Sequence, residues 1–110
     1  MTGLDIETRV RTLLKSGSEV RWDDAELLLW VNDGVREIVR RRPDAQYTAT
    51  INNAAIIDIT DLSETLVLVE YYRATMTNYV LHRCYQKDAE YSNGREMSEY
   101  WWNMFIKELV

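Results

Sequence analysis

Asp23-Asp24-Ala25-Glu26-Leu27-Leu28-Leu29-Trp30-Val31-Asn32-Asp33-Gly34-Val35-Arg36-Glu37-Ile38-Val39-Arg40-Arg41-Arg42-Pro43 is the stretch on which the fold turns. Asp23 is a good N-cap residue and Glu26 follows three places later, a capping-box-like start. Leu27, Val31, Val35, Ile38 and Val39 then recur as one apolar stripe. In isolation Asn32-Asp33-Gly34 is turn chemistry. The stripe nevertheless keeps its phase across Gly34, so the spacing predicts one unbroken helix. A glycine in mid-helix costs about 1 kcal/mol relative to alanine, which points to a close backbone approach there. Arg40, Arg41 and Arg42 complement the negative end of the helix dipole, and Pro43 stops the helix.

Upstream, Ile6, Val10, Leu13 and Leu14 predict a first helix over 5–15, ended by Ser16-Gly17-Ser18. Downstream the period changes. Tyr47-Thr48-Ala49-Thr50-Ile51 alternates, Asn52-Asn53 is a turn, and Ile56 to Ile59 can return as a second strand. A lone hairpin is marginal in water, so it should pack on the helices or be completed by another chain. Asp61, Ser63 and Glu64 announce a third helix over 64–91, with a break between Tyr71 and Thr77 as an option because Thr75 and Thr77 are weak helix formers. Ser92-Asn93-Gly94 closes it. A fourth helix over 95–109 should carry Met97, Trp101, Met104, Phe105 and Leu109 inward. The expectation is a mainly α fold: one domain over 1–110, a small bundle of about four helices with a short β-hairpin between the second and third.

Composition bounds the function. The chain has 110 residues, 46% hydrophobic and 28% charged, which is ordinary globular usage. Thirteen Lys+Arg against 18 Asp+Glu give a net charge of −5, which disfavours indiscriminate binding to nucleic acid or membranes. A single cysteine, Cys84, excludes an intramolecular disulfide and fits a reducing compartment. MTGLDIETRV has no apolar core of a secretory signal, and no apolar run approaches a membrane span. Four Trp and seven Tyr stand against one Phe. That surplus suits either interfaces or a small core filled with large rings.

No constellation for catalysis is visible. His82 and Cys84, two residues apart on a helix, lie about 200° around its axis and cannot form a dyad. Cys84 reads as a small buried hydrophobe and His82 as a surface residue. A zinc set lacks a second Cys or His, and Asp58 and Asp61 do not match a calcium loop. Gly3, Gly17, Gly34 and Gly94 are isolated and form no phosphate-cradling loop. Asp23, Asp24 and Glu26 are placed where a helix N-terminus favours acids. No cofactor, metal or catalytic residue is expected, and the chain does not read as an enzyme.

The stretch from Arg21 to Val39 resembles the N-terminal helix pair of tailed-bacteriophage head–tail connector proteins, also called adaptor or head-completion proteins. These typically show a Trp-x-Asp-x-Glu-Leu start, an Asn-(Asp/Glu)-(Gly/Ala) centre and an Arg-Arg-Pro-Asp exit. A second block, Asn78-Tyr79-Val80-Leu81-His82-Arg83-Cys84-Tyr85-Gln86-Lys87-Asp88-Ala89-Glu90-Tyr91, is similar to the family's Tyr-x-Leu-x-Arg-Ala-x-x-Lys-Asp-Ala-Glu helix. A final helix with aromatics follows, as in Tyr100 to Phe105. The two blocks and their flanks cover most of the chain. Many relatives insert a longer β-rich region between the blocks, and only 47–59 could represent it here. The resemblance implies a helical protomer in a homo-oligomeric, usually twelvefold ring beneath the portal protein, in the neck of a virion made in the host cytoplasm. Such a ring extends the DNA channel without sequence-specific binding and offers a platform for tail or stopper proteins. It implies no cofactor and no membrane.

Two surfaces are then candidates. Subunit contacts are expected at Tyr47, Thr48, Thr50 and Ile51, whose strand edges need pairing, and at Arg40, Arg41 and Arg42. Portal or neighbour docking is expected at Tyr100, Trp102 and Phe105, with Trp101 turned into the protomer. The alternatives are a small helix-turn-helix DNA-binding regulator and a generic helical interaction protein. A regulator would bring Asp23, Asp24 and Glu26 to the groove, where they repel phosphate.

Overall fold

The computed structural model describes residues 1–14, 22–46, 58–87 and 94–109. Helix α1 spans Gly3–Leu14, α2 Asp24–Arg41, α3 Arg73–Lys87 and α4 Gly94–Leu109, with short 3₁₀ turns at Pro43–Ala45 and Glu70–Tyr72. The chain is mainly helical, and none of the described residues forms a strand. The strand residues expected at 47–51 and the turn at 52–53 lie outside the described residues, as do 56 and 57.

Helix α1 begins two residues before the sequence expectation, and the reason is a cap. The Asp5 N–H donates to the Thr2 hydroxyl (3.2 Å), while the Asp5 carboxylate accepts from the Thr2 N–H (2.8 Å). The reciprocal pair satisfies two amide donors that a helix start leaves open. Ile6 and Val10 are fully buried, but Leu13 is not part of the inner stripe and stands half exposed.

In α2 the expectation holds. Asp23 adopts an extended conformation and its side chain accepts from the Glu26 N–H at 2.9 Å. Leu27, Val31, Val35, Ile38 and Val39 are all buried, joined by Trp30. The helix runs through Gly34 and ends before Pro43, where the Arg42 N–H closes on the Ile38 carbonyl at 2.7 Å.

The third helix starts at Arg73 rather than Glu64. Asp61 and Ser63, which read as a helix start, build a tight turn instead: the Asp61 carboxylate accepts from the Ser63 N–H and hydroxyl. Glu64 folds back to accept from Thr60 and Asp61. Beyond it the chain is extended, with Leu66 and Leu68 buried and Val67 and Val69 half-buried, a period of two. The Leu66 N–H donates to the Met1 carbonyl and the Val69 N–H to the Ala45 carbonyl, both at 2.9 Å. These tertiary bonds, at Thr2↔Thr65 and Gln46↔Leu68, replace the i→i−4 ladder a helix would need.

Helix α3 is central, packed along α4 on one side and against α2 and α1 on the other. The inner stripe of α4 is Gly94, Ser98, Phe105 and Leu109, flanked by Trp101, Trp102 and Ile106. Met97 and Met104, expected inside, are only half-buried. At the level of Ser98 the two helices meet closely, its hydroxyl donating to the His82 carbonyl at 3.2 Å.

Candidate functional site

The residues that carry the two sequence blocks meet along one seam between α2 and α3. At Gly34 an added Cβ would sit 2.9 Å from Tyr79 Cδ2 and 3.1 Å from the Met76 sulfur, so the close approach expected from sequence is present. The preceding pair is equally engaged. Asp33 pairs with Arg83 at 3.1 Å, and the same guanidinium donates to the Tyr79 hydroxyl at 2.8 Å. It also lies over the Trp30 and Tyr79 rings at 5.8 Å each. The Asn32 side chain clamps Ile59, donating to its carbonyl and accepting from its N–H at 3.0 Å each. Turn-like chemistry within an unbroken helix is thus explained: each of the three residues holds a different neighbour.

Further along the seam the Trp22 indole donates to the Cys84 carbonyl at 3.0 Å, and Lys87 pairs with Glu26 at 2.6 Å. Glu26 completes no capping box, since its carboxylate is given to Lys87. Burial pushes the Tyr79 phenol above its ordinary range, so it serves the seam as a neutral hydroxyl.

A second junction joins α1 to the start of α2. Arg11 donates to the Asp24 carboxylate at 2.9 Å and the Trp22 carbonyl at 3.0 Å, with Glu7 at 3.5 Å. Burial of Glu7, reinforced by the Asp24 carboxylate beside it, raises its carboxyl from 4.5 to about 7. Asp24 is held below its ordinary range by the hydrogen bond from Glu7 and by Arg11. The cluster therefore does more than favour the helix dipole. It ties two helices together with two carboxyls and one guanidinium.

Between α3 and α4, His82 is not a surface residue. Its Nδ1 lies 2.9 Å from the Ser98 carbonyl and 3.0 Å from the Ser98 hydroxyl, and its ring lies 5.0 Å from that of Trp102. Burial lowers its pKa below 6.5. Cys84 is fully buried, as its reading as a small hydrophobe required. Thr75 and Asn78 donate to the two Glu108 carboxylate oxygens at 3.1 and 2.9 Å, crossing the same junction.

The expected contact surfaces fare differently. Arg40 and Arg41 pair with Glu37 at 2.8 and 3.3 Å. Arg42 pairs with Asp44 at 3.2 Å and donates to the Leu109 carbonyl at 3.2 Å. Tyr47, Thr48, Thr50 and Ile51 lie outside the described residues. Tyr100 is half exposed and stacks edge-on against Trp101. Trp102 is half-buried, covered by Arg41 at 5.6 Å and by Phe105 at 5.3 Å. Trp101 is half-buried too, so the two tryptophans do not divide into an inner and an outer one. Phe105 is wholly buried, its ring 5.2 Å from that of Tyr79. It belongs to the core and is unavailable for docking. Three residues on from Trp102, about 60° around the helix, it faces Tyr79 of α3.

Among the described residues no group of three or more His, Cys, Asp and Glu gathers as metal ligands. No helix among them is long and apolar enough to cross a membrane. The geometry defines a class: a small helical fold whose polar side chains tie helices to one another. Comparison with protein-family models, with characterised proteins and with solved structures gives no match.

Proposed function

We propose that the chain is a structural virion protein, a head–tail adaptor that forms a ring below the portal, extends the DNA channel and carries the tail or a stopper. The observation that supports it is the seam. The connector-like blocks lie far apart in sequence, yet Asn32, Asp33 and Gly34 of one and Tyr79, Arg83 and Lys87 of the other share it, Asp33 closing on Arg83 and Gly34 receiving Tyr79. Two motifs whose residues interlock in this way behave as one signature of a protomer rather than as two chance matches.

The acidic balance suits a conduit, because repulsion from phosphate lets DNA pass without adhering. The arginine run fits a groove-binding role poorly, since its guanidinium groups already face Glu37 and Asp44. The test is the mass of the purified chain in solution, alone and mixed with a portal protein. A ring on the portal is the expected result. A chain that ignores portals and binds a DNA sequence specifically at physiological salt, with loss on replacing Arg40, Arg41 and Arg42, overturns the reading in favour of a regulator.

A further inference from the structure

Helix α1 shows apolar side chains on both flanks of its buried stripe. Leu4 and Leu13, nine residues apart, fall about 180° from one another around the helix. They remain 44% and 48% exposed. Leu4 forms one wall of a groove of about 240 Å³, completed by Ala25, Leu28 and Leu62, with Asp24 and Asp61 at its rim. Asp61 faces no cation among the described residues, and its hydrogen bonds from Ser63 favour the charged form. On the other flank Leu13 and Arg9 stand together at the mouth of a cleft of about 440 Å³ shared with Asp5 and Arg73. Arg73 is already paired with Glu70, whereas Arg9 has no ionic partner among the described residues.

One flank is thus an apolar groove with an acidic rim. The other is an apolar ridge beside a free guanidinium. They are complementary in charge, an unpaired guanidinium beside one exposed leucine and an unpaired carboxylate beside the other, and because they lie on opposite sides of one helix they cannot meet within a single chain. We propose that a second copy of this chain seats its Arg9–Leu13 ridge in the Leu4–Leu28 groove, so that copies join head to tail through α1. The contact deepens the adaptor reading and rests on its self-assembling half. It is heterologous, leaving one ridge and one groove free on every open chain of copies, and it closes into a ring if the rotation per copy permits. Two leucines and one ion pair make a weak contact singly. In a closed ring each copy is held on both sides, and the second contact forms at high effective concentration.

The test uses the full chain in sedimentation velocity over a concentration series. Leu13→Asp destroys the ridge and Leu4→Asp places a charge in the groove, both at half-exposed positions. Each variant alone should lose self-association by about tenfold or more, the cost of burying an unpaired carboxylate. An equimolar mixture should form a one-to-one complex and grow no further, because the intact ridge of the Leu4→Asp chain meets the intact groove of the Leu13→Asp chain. Should a leucine variant lose its helical far-UV signal, Arg9→Glu and Ala25→Glu form a second pair on the same two flanks, with the same expectation. A wild-type chain that stays monomeric throughout, single variants that associate like wild type, or a mixture that stays monomeric would each overturn the contact. Portal binding separates the two readings. Variants that assemble normally on a portal overturn the contact and leave the adaptor, while a wild type that associates as described but ignores portals overturns the adaptor and leaves the contact.

Discussion

At the seam between α2 and α3, Gly34 admits Tyr79 and Met76, and Asp33 closes on Arg83. On the flanks of α1, Leu4 and Leu13 stand half exposed, and Arg9 has no ionic partner among the described residues. The first region carries the strongest motifs in the chain and the second carries none. Residues with a recognisable spacing are here consumed in holding the fold together. What remains for other molecules is side chains whose position only the folded chain reveals. Changes at the inner seams should therefore cost stability, and changes on the outer faces should cost association instead where the chain assembles as proposed.

The largest expected effect sharpens this at a residue that the sequence placed both on the inward face of the fourth helix and among the docking candidates. Phe105→Ala removes a fully buried ring packed on Tyr79 and Trp102. It should cost about 3–5 kcal/mol, read as a shift in the urea midpoint. A loss under 1 kcal/mol would return Phe105 to the docking surface. Next is Gly34→Val. Its Cβ alone would stand 2.9 Å from a Tyr79 ring carbon that is itself locked against Arg83. Overpacking of this kind costs roughly 1–3 kcal/mol, and the branched side chain adds crowding. Gly34→Ala should lose less, since about 1 kcal/mol of helix propensity offsets part of the clash. An alanine variant more stable than wild type would show that the close approach is soft, and the comparison would fail at its centre.

The two regions also differ in what the sequence disclosed. Helix α2 was legible because its Asp23 cap, its stripe and its proline stop all agree, and Gly34 broke a local rule for a tertiary reason. The stretch from Glu64 to Val69 was misread for the opposite cause. Asp61, Ser63 and Glu64 satisfy helix-start chemistry, and only hydrogen bonds to Met1 and Ala45, remote in sequence, turn the following residues into an extended segment. Its alternation of Leu66 and Leu68 with Val67 and Val69 was the available signal, hidden because all four are apolar. The Thr2–Asp5 cap was also available and shifts α1 by two residues. Nothing in the sequence could place Leu4 beside Leu28, or His82 against Ser98, since those depend on how helices pair.

A third prediction tests the junctions by pH. The folded Glu7 carboxyl, raised to about 7 by burial beside Asp24, holds its proton where the unfolded chain, at 4.5, has released it. Stability from this group is therefore greatest below about pH 4.5, falls as pH rises towards 7, and is flat above. His82 has the opposite sign: its folded pKa lies below 6.5, so acidification through 6.5 protonates the unfolded chain first and destabilises the fold. Glu7→Gln should remove the first slope alone, so that its stability relative to wild type rises between pH 4.5 and 7. His82→Gln should remove the second, its relative stability rising as pH falls below 6.5. Paired denaturation series at four or five pH values measure both. A Glu7→Gln difference independent of pH would mean that Glu7 is ionised in the fold and that Arg11, not Asp24, governs it.

The smallest expected effect is on stability and the most informative on function. Tyr100 is half exposed, outside the inner stripe of α4, and stacks edge-on against Trp101. Removing a ring in that setting forfeits one aromatic pair, about 0.5–1 kcal/mol at most, and leaves no cavity. Tyr100→Ala should therefore melt within a few degrees of wild type. Trp102→Ala is the control on the same helix. Its ring lies against His82, Phe105 and Arg41, so truncation should cost roughly 2 kcal/mol or more in the isolated chain. If the outer face of α4 docks a portal or a neighbour, the ranking inverts when attachment is measured at a temperature where both variants are folded. Tyr100→Ala then loses more binding than stability, and Trp102→Ala more stability than binding. A Tyr100→Ala chain that attaches as well as wild type would take that face out of assembly and leave the flanks of α1 to carry it.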